Sequence, residues 1–241
     1  MDSRRTALVT GGAKRVSRAI VEKLAASGFD VLFTYQTSEA EARKLVSTLG
    51  SNGTRIEAFR TNLETESAAV EIANRVQQFA PRLDVLVNSA SLYLPDSASP
   101  VTELTRRMMR INFYAPLSIT HALATYLRSA HGRVINMLDL MAERPMPSYS
   151  IYCASKAALM NATISLARQL APEVTVNGIS PGVVDWPDEL SETDREAYLT
   201  RVPLRRAGTP QDVANLVHFL ATDGAYITGQ VIRLDGGRSI V

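Results

Sequence analysis

Thr6-Ala7-Leu8-Val9-Thr10-Gly11-Gly12-Ala13-Lys14-Arg15-Val16-Ser17-Arg18-Ala19-Ile20 is the stretch that decides the fold of this chain. It opens as a short apolar strand, turns at two glycines and re-emerges with helical character. Glycines directly after a first strand allow a tight turn, and the following helix points free N–H groups at whatever lies in front of it. An anion suits such a place. Lys14 and Arg15 put two cations where a pyrophosphate or a 2′-phosphate would lie. The strict G-x-G-x-x-G spacing is absent, so the loop by itself also reads as a plain strand-to-helix turn.

The same rhythm continues outward. Short β-branched runs predict strands at 7–10, 31–35, 55–60, 85–88, 133–137, 175–179 and 231–234. Between them, helical patterns cover 17–27, 39–49, 66–79, 104–127, 152–170 and 211–221. Leu45, Val46 and Leu49 are spaced for one buried helix face, as are Val70, Ala73 and Val76, and Asp212 after Pro210 suits a first helical turn. Regular strand–helix alternation implies an α/β fold, a doubly wound parallel sheet of about seven strands covered on both faces, with right-handed crossovers. The rhythm breaks once, at 181–203. That insertion holds the one tryptophan, Trp186, and should lie over the carboxyl edge of the sheet, with a substrate lid expected within 183–203.

Composition narrows the function classes. The 241 residues suffice for one well-buried core, and the net charge of +2 with both signs mixed gives no electrostatic footprint for nucleic acid. Cys153 is the lone cysteine, which excludes an intrachain disulfide and fits a reducing, cytoplasmic location. The apolar run behind Arg4-Arg5 is too short for a secretory signal, and no run reaches a membrane span of roughly 18–20 residues. His121, His131 and His218 are scattered and there is no Cys-x-x-Cys, so no metal site is expected.

Tyr152 and Lys156 stand four residues apart on an expected helix and therefore share a face. A phenol near pKa 10 is a poor proton donor at neutral pH, and a neighbouring ammonium lowers that value by favouring the phenolate. Such a pair can serve as a general acid in a reduction, although many Tyr-x-x-x-Lys pairs are merely a solvated helix face. After the second strand, Gln36-Thr37-Ser38 carries no acid that would hold a ribose 2′-hydroxyl and repel a 2′-phosphate. Hydroxyls and amides with a cation nearby favour NADP(H).

Taken in order, the Thr10-Gly11 turn, Asn88-Ser89-Ala90, Asn112 in Arg110-Ile111-Asn112, Tyr152-x-x-x-Lys156, Ser180-Pro181-Gly182 and Leu234-Asp235-Gly236-Gly237 resemble the short-chain dehydrogenase/reductases over essentially the whole chain. The resemblance implies a single Rossmann-like domain spanning 1–241. It implies that Lys156 binds the nicotinamide ribose and tunes Tyr152, and that Asn112 supports a proton-relay water. Cofactor contacts are expected at Gly11, Lys14, Arg15, Val16, Gln36, Thr37, Ser38, Asn62, Leu63, Asn88, Ala90, Ser91, Tyr152, Lys156, Pro181 and Gly182. Asn62 replaces the family's usual aspartate near the adenine, and its amide oxygen can still accept from the adenine amino group.

Two departures are sharper. Arg15 and Ser17 occupy the second and third glycine positions of the family loop, and Asp139, thirteen residues before Tyr152, stands in the slot of the catalytic serine. Lys14-Arg15 with an aspartate in that slot resembles the pteridine reductases, including the dihydromonapterin reductases. Asn88-Ser89-Ala90-Ser91-Leu92-Tyr93 matches their Asn-x-Ala-Ser stretch with a following aromatic. This implies NADPH-dependent reduction of a 7,8-dihydropteridine, with folates as further candidates. Asp139, Tyr152, Lys156 and Asn112 would be catalytic, with Asp139 helping Tyr152 through a hydrogen bond or a shared water; Arg15, Ser91, Tyr93, Asp139, Tyr152 and Trp186 would line the substrate, and Tyr93 would stack on the pterin. A reductase of ordinary ketones such as 3-oxoacyl thioesters, and a non-catalytic NADP(H)-binding module, remain open. The family also implies a homotetramer, with 104–127 and 152–170 at its interfaces.

Overall fold

The computed structural model describes residues 4–50, 53–186 and 191–241. Seven strands, β1 (Thr6–Val9), β2 (Asp30–Tyr35), β3 (Ile56–Arg60), β4 (Val85–Asn88), β5 (Arg133–Met137), β6 (Thr175–Pro181) and β7 (Val231–Leu234), form one sheet in the order β3-β2-β1-β4-β5-β6-β7. Every pairing is parallel. Strand positions follow the sequence expectation to within one or two residues at either end. The order reverses direction between β1 and β4, and a crevice outside the carboxyl ends of the strands opens at such a switch point.

Alternation along each strand explains the two covered faces. Ala7 and Val9 of β1 point into one core with α1 (Arg15–Ala26), α2 (Glu39–Leu49) and α9 (Pro210–Thr222). Leu8, between them, points into the other core with α3 (Ala68–Phe79), α5 (Ala115–Ala122), α6 (Ala124–Ser129) and α7 (Ser150–Leu170). All three residues are fully buried, and a side chain of Leu or Val size stabilises by about 1.5–3 kcal/mol on such burial. On α3 the buried stripe is Ala68, Ile72, Val76 and Phe79, whereas Val70 is exposed. The expected Val70–Ala73–Val76 face is therefore wrong at its first member: six residues of helix turn Val70 well away from the side of Val76.

The long helix expected at 104–127 is broken. α4 (Val101–Met109) passes into a π-helical turn, Arg110–Tyr114, then α5, and a further kink at Leu123 starts α6. Pro116 supplies a reason: it has no N–H, and its ring crowds the carbonyl four residues earlier, that of Asn112. A widened turn there relieves the clash. At the far end, Thr209 and Asp212 form a reciprocal capping box on α9, as the position of Asp212 led one to expect. The 181–203 insertion contains a helix that the sequence did not announce, α8 (Glu192–Leu199), with Ser191 as its N-cap. Residues 187–190 of the expected lid lie outside the described residues.

Candidate active site

The switch point is built by two loops locked together. Thr10 Oγ1 accepts the backbone N–H groups of Ser89 (2.9 Å) and Ala90 (3.0 Å), joining the end of β1 to the end of β4. Gly11 has φ +71°, and a Cβ added there would lie 3.1 Å from the Ala90 Cα, so the close approach needs glycine. Ser17, at the family's third glycine, is buried with its hydroxyl 2.7 Å from that of Ser89. α1 begins at Arg15 without a side-chain cap, which leaves its N-terminus facing the crevice end of β1. Arg15 keeps a left-handed backbone (φ +52°) where the family places glycine.

The two loop cations have carboxylate neighbours: Lys14 Nζ lies 2.8 Å from Glu41 Oε1, and Arg15 Nε pairs with Asp185. Lys14 holds the Glu41 carboxyl below its ordinary range. Both pairs are exposed, so either cation can exchange its partner for a phosphate at small cost. Beyond β2, Gln36 and Thr37 are exposed, and Ser38 precedes α2 without using its hydroxyl as a cap. Arg60, overlooked in the sequence, belongs here: β3 pairs with β2 so that Arg60 faces Tyr35, and its Nε donates to the Gln36 carbonyl at 3.1 Å. Asn62 Oδ1 already accepts from Gln36 Nε2 (3.2 Å) and the Glu64 N–H (3.0 Å), and Leu63 is buried beside it. Asn88 turns its side chain inward, donating to Asn136 Oδ1 at 2.8 Å, so only its backbone can face a ligand. Pro181 ends β6, and Gly182 N–H donates to the Leu234 carbonyl at 3.0 Å.

Asp139, Tyr152 and Lys156 come together at the carboxyl end of β5. The Tyr152 hydroxyl donates to Asp139 Oδ2 at 2.8 Å. The other carboxylate oxygen of Asp139 accepts the Met141 N–H at 2.8 Å, capping the short 3-10 turn Leu140–Ala142. That cap fixes the carboxylate in one orientation towards the phenol. Lys156, buried on the same face of α7, donates from Nζ to the Met137 carbonyl at 2.9 Å and sits 5.8 Å from the centre of the Tyr152 ring. Burial lowers the Lys156 pKa to about 8, against an opposing pull from Asp139.

The expected lowering of the Tyr152 pKa is not what this geometry produces. Burial first, and then the Asp139 carboxylate, push the phenol well above its ordinary value, against a smaller opposing pull from Ser91. The ammonium is engaged by a carbonyl, while a carboxylate holds the phenolic proton directly.

Asn112 lies in the π-turn. Its amide donates to the Leu92 carbonyl (2.9 Å) and Ser155 Oγ (3.0 Å), and its oxygen accepts the Leu92 N–H (2.8 Å) and the Ser91 hydroxyl (3.2 Å). It thus clamps the loop that carries Tyr93. The Tyr93 ring is 43% exposed, stacks on Tyr149 (centroids 4.7 Å, 9° between planes) and meets Tyr152 edge-on at 4.8 Å. Tyr149 and Ser155 were not read from the sequence; Tyr149 is the N-cap of α7, just before the helix, and packs in the same cluster as Tyr152. Trp186 packs edge-on against Tyr198 of α8 at 5.5 Å, and the Val183 N–H donates to the Tyr198 hydroxyl at 3.3 Å. This ties α8 to the loop after β6.

Comparison with known proteins gives the family. A family model described as enoyl-(acyl carrier protein) reductase matches residues 11–239. The chain belongs to the short-chain dehydrogenase/reductase family. Among curated members, it is 34% identical to the 3-oxoacyl-[acyl-carrier-protein] reductase FabG of Staphylococcus aureus, over 98% of this chain and 99% of the relative. It is 30% identical to nodulation protein G of Rhizobium sp., covering 98% of each. Among solved structures, a blue fluorescent protein from a metagenomic library, crystallised with NADPH, superposes with a TM-score of 0.91 at 32% identity, covering 98% of each chain. Among the described residues no helix is long and apolar enough to cross a membrane.

Proposed function

We propose that this short-chain reductase uses NADPH to reduce a 7,8-dihydropteridine, with Asp139, Tyr152, Lys156 and Asn112 as its catalytic residues. The hydrogen bond from Tyr152 to Asp139 carries the reading. An ordinary ketone needs a donor at its oxygen as negative charge develops, and an ionised carboxylate offers none and repels that charge. A pterin presents amino and N–H groups that a carboxylate accepts, together with a C=N bond whose nitrogen needs a proton.

The crevice suits a nicotinamide dinucleotide. The glycine turn at Gly11 is a cradle that a Cβ would fill, and the cationic donors Lys14, Arg15 and Arg60 sit near it and near the end of β2. Lys14, Arg15 and Arg60 would hold phosphates, Gln36, Thr37 and Ser38 would border the 2′-phosphate, and Lys156 would hold the ribose. When bound, NADPH supplies a hydride. This chain's residues supply the rest. Asp139 orients the substrate's N–H edge and the phenol, and Tyr152 gives its proton to the ring nitrogen. Lys156 then balances the tyrosinate beside Asp139. Tyr93, backed by Tyr149 on one face, offers its other face to the pterin ring. Asn112 holds the Ser91–Leu92 loop in place for this. Assembly as a homotetramer in the cytoplasm, through α4–α6 and α7, is part of the same proposal; Tyr114 and Ile164 leave exposed apolar surface on these segments.

A second reading has its own support. The names of the curated relatives favour a 3-oxoacyl thioester as substrate more than they favour a pteridine. The experiment that separates the two is NADPH oxidation with 7,8-dihydrobiopterin and with a 3-oxoacyl thioester, side by side. Faster turnover of the thioester would overturn the pteridine reading, and binding of NADPH without turnover of either would favour a non-catalytic module.

A further inference from the structure

A second basic site lies away from the loop cations. Arg144, Arg201, Arg205 and Arg238 line a cavity of about 560 Å3 between the segment after α8 and the body of the fold. That is within the size range of small-ligand pockets, which runs from about 300 to 1,000 Å3. Among the described residues, none of the four forms an ion pair with a side-chain carboxylate.

Their hydrogen bonds go mostly to carbonyls. Arg144 donates to the carbonyls of Arg238 (3.4 Å) and Val241 (2.7 Å), and also to that of Ser239, which fastens the Arg238–Ile240 turn to the body. Arg205 donates to the Thr200 carbonyl at 2.8 Å and holds a left-handed backbone, φ +53°, an arrangement that L side chains adopt at a cost. The Nε of Arg238 is buried and has no hydrogen-bond partner, although the guanidinium packs against the ring of Tyr198. Four guanidinium groups line one cavity, and the buried Nε–H of Arg238 has no hydrogen-bond partner, so an anion in the cavity would gain charged donors.

We infer that this pocket binds an oligoanion of phosphate or carboxylate chemistry, either free or as the acidic tail of the substrate. Guanidinium forks match both anion types in geometry and charge. The site joins α8's end to the turn five residues beyond Asp139, so its occupant lies on the substrate side of the molecule. The tail alternative rests on the pteridine reading; the free-anion alternative does not.

The test uses protein saturated with NADPH, so that the loop cations are already engaged. Inorganic pyrophosphate is titrated calorimetrically into wild type and into the Arg201→Gln/Arg205→Gln double variant, both exposed positions outside the proposed catalytic set. The expected result is binding to wild type, weakened about tenfold or more in the variant, as for loss of charged hydrogen bonds. In parallel, KM is measured for dihydrobiopterin and for dihydrofolate, whose glutamate tail is anionic. A rise in KM for dihydrofolate alone assigns the pocket to the tail; loss of pyrophosphate binding with both KM values unchanged assigns it to a free anion. Equal pyrophosphate titrations in the two proteins together with unchanged KM values overturn the inference. If neither pterin is turned over, the pteridine reading fails while the pyrophosphate titration still decides the site.

Discussion

Replacing Asp139 with asparagine isolates the interaction on which the substrate reading rests. The carboxylate makes two contacts, accepting the Met141 N–H on one oxygen and the Tyr152 hydroxyl on the other, each at 2.8 Å. Asparagine keeps one acceptor, and the backbone cap has first claim on it because its geometry is fixed. The amide nitrogen then faces the phenol, donor against donor, and the hydroxyl must swing away and accept instead. The loss is one charge-assisted hydrogen bond, about 1.5–3 kcal/mol, equivalent to roughly 10- to 150-fold in a rate that depends on it. The phenol pKa should fall, since the carboxylate is the second cause holding it up, while burial, the first, remains. The lost hydrogen bond belongs to the folded state and Asp139 is half-buried, so global stability should fall by no more than about 1.5–3 kcal/mol. The assay is NADPH oxidation with saturating 7,8-dihydrobiopterin, alongside the far-ultraviolet melting curve. Asp139→Ser supplies the control: it should not restore pterin reduction and should admit weak ketone reduction. Unchanged pterin turnover in Asp139→Asn, or pterin activity preserved in Asp139→Ser, would refute the reasoning.

Four more predictions follow from the same geometry. Tyr152→Phe should slow turnover by about 10²–10⁴-fold with NADPH affinity retained, checked by single-turnover kinetics and cofactor titration. Arg15→Ala should erase most of a preference for NADPH over NADH, a loss of roughly tenfold to a hundredfold in the ratio of kcat/KM, because a charged contact to the 2′-phosphate goes. Lys156 gives up its proton near pH 8 when folded, against an ordinary 10.5, so turnover should fall above pH 8 as the ammonium is lost. Between those values the unfolded chain binds the extra proton, so this group makes unfolding harder as pH rises; Lys156→Arg should flatten both profiles, read by kcat and by urea melts across pH 7–10. Gly11→Ala meets both a positive φ and the Ala90 backbone, and should cost about 1–3 kcal/mol in a thermal or urea melt.

The sequence by itself determined the architecture. Alternating β-branched runs and helical periods are local signals, and seven strands in a doubly wound sheet follow from them because parallel strands need crossovers of that kind. It also determined which chemistry-bearing residues to watch, since Tyr152 and Lys156 lie one helical turn apart and Asp139 sits at a strand's end. What only the tertiary structure decided is who meets whom. Arg60 reaches the end of β2 solely because β3 pairs beside it, and Tyr149 stacks on Tyr93 because two loops distant in sequence converge. Val70 faces solvent because residues three apart drift off one face of a 3.6-residue helix, and the 104–127 segment breaks because Pro116 cannot continue the regular hydrogen-bond ladder. The family resemblance, not the spacing along the chain, put Asp139 beside Tyr152 as a hydrogen-bond or shared-water partner, and the structure has the direct hydrogen bond. Helical spacing places an ammonium near the phenol, but a thirteen-residue separation between Asp139 and Tyr152 implies no contact until β5 and α7 pack, and that packing puts the carboxylate, not the ammonium, on the phenolic proton.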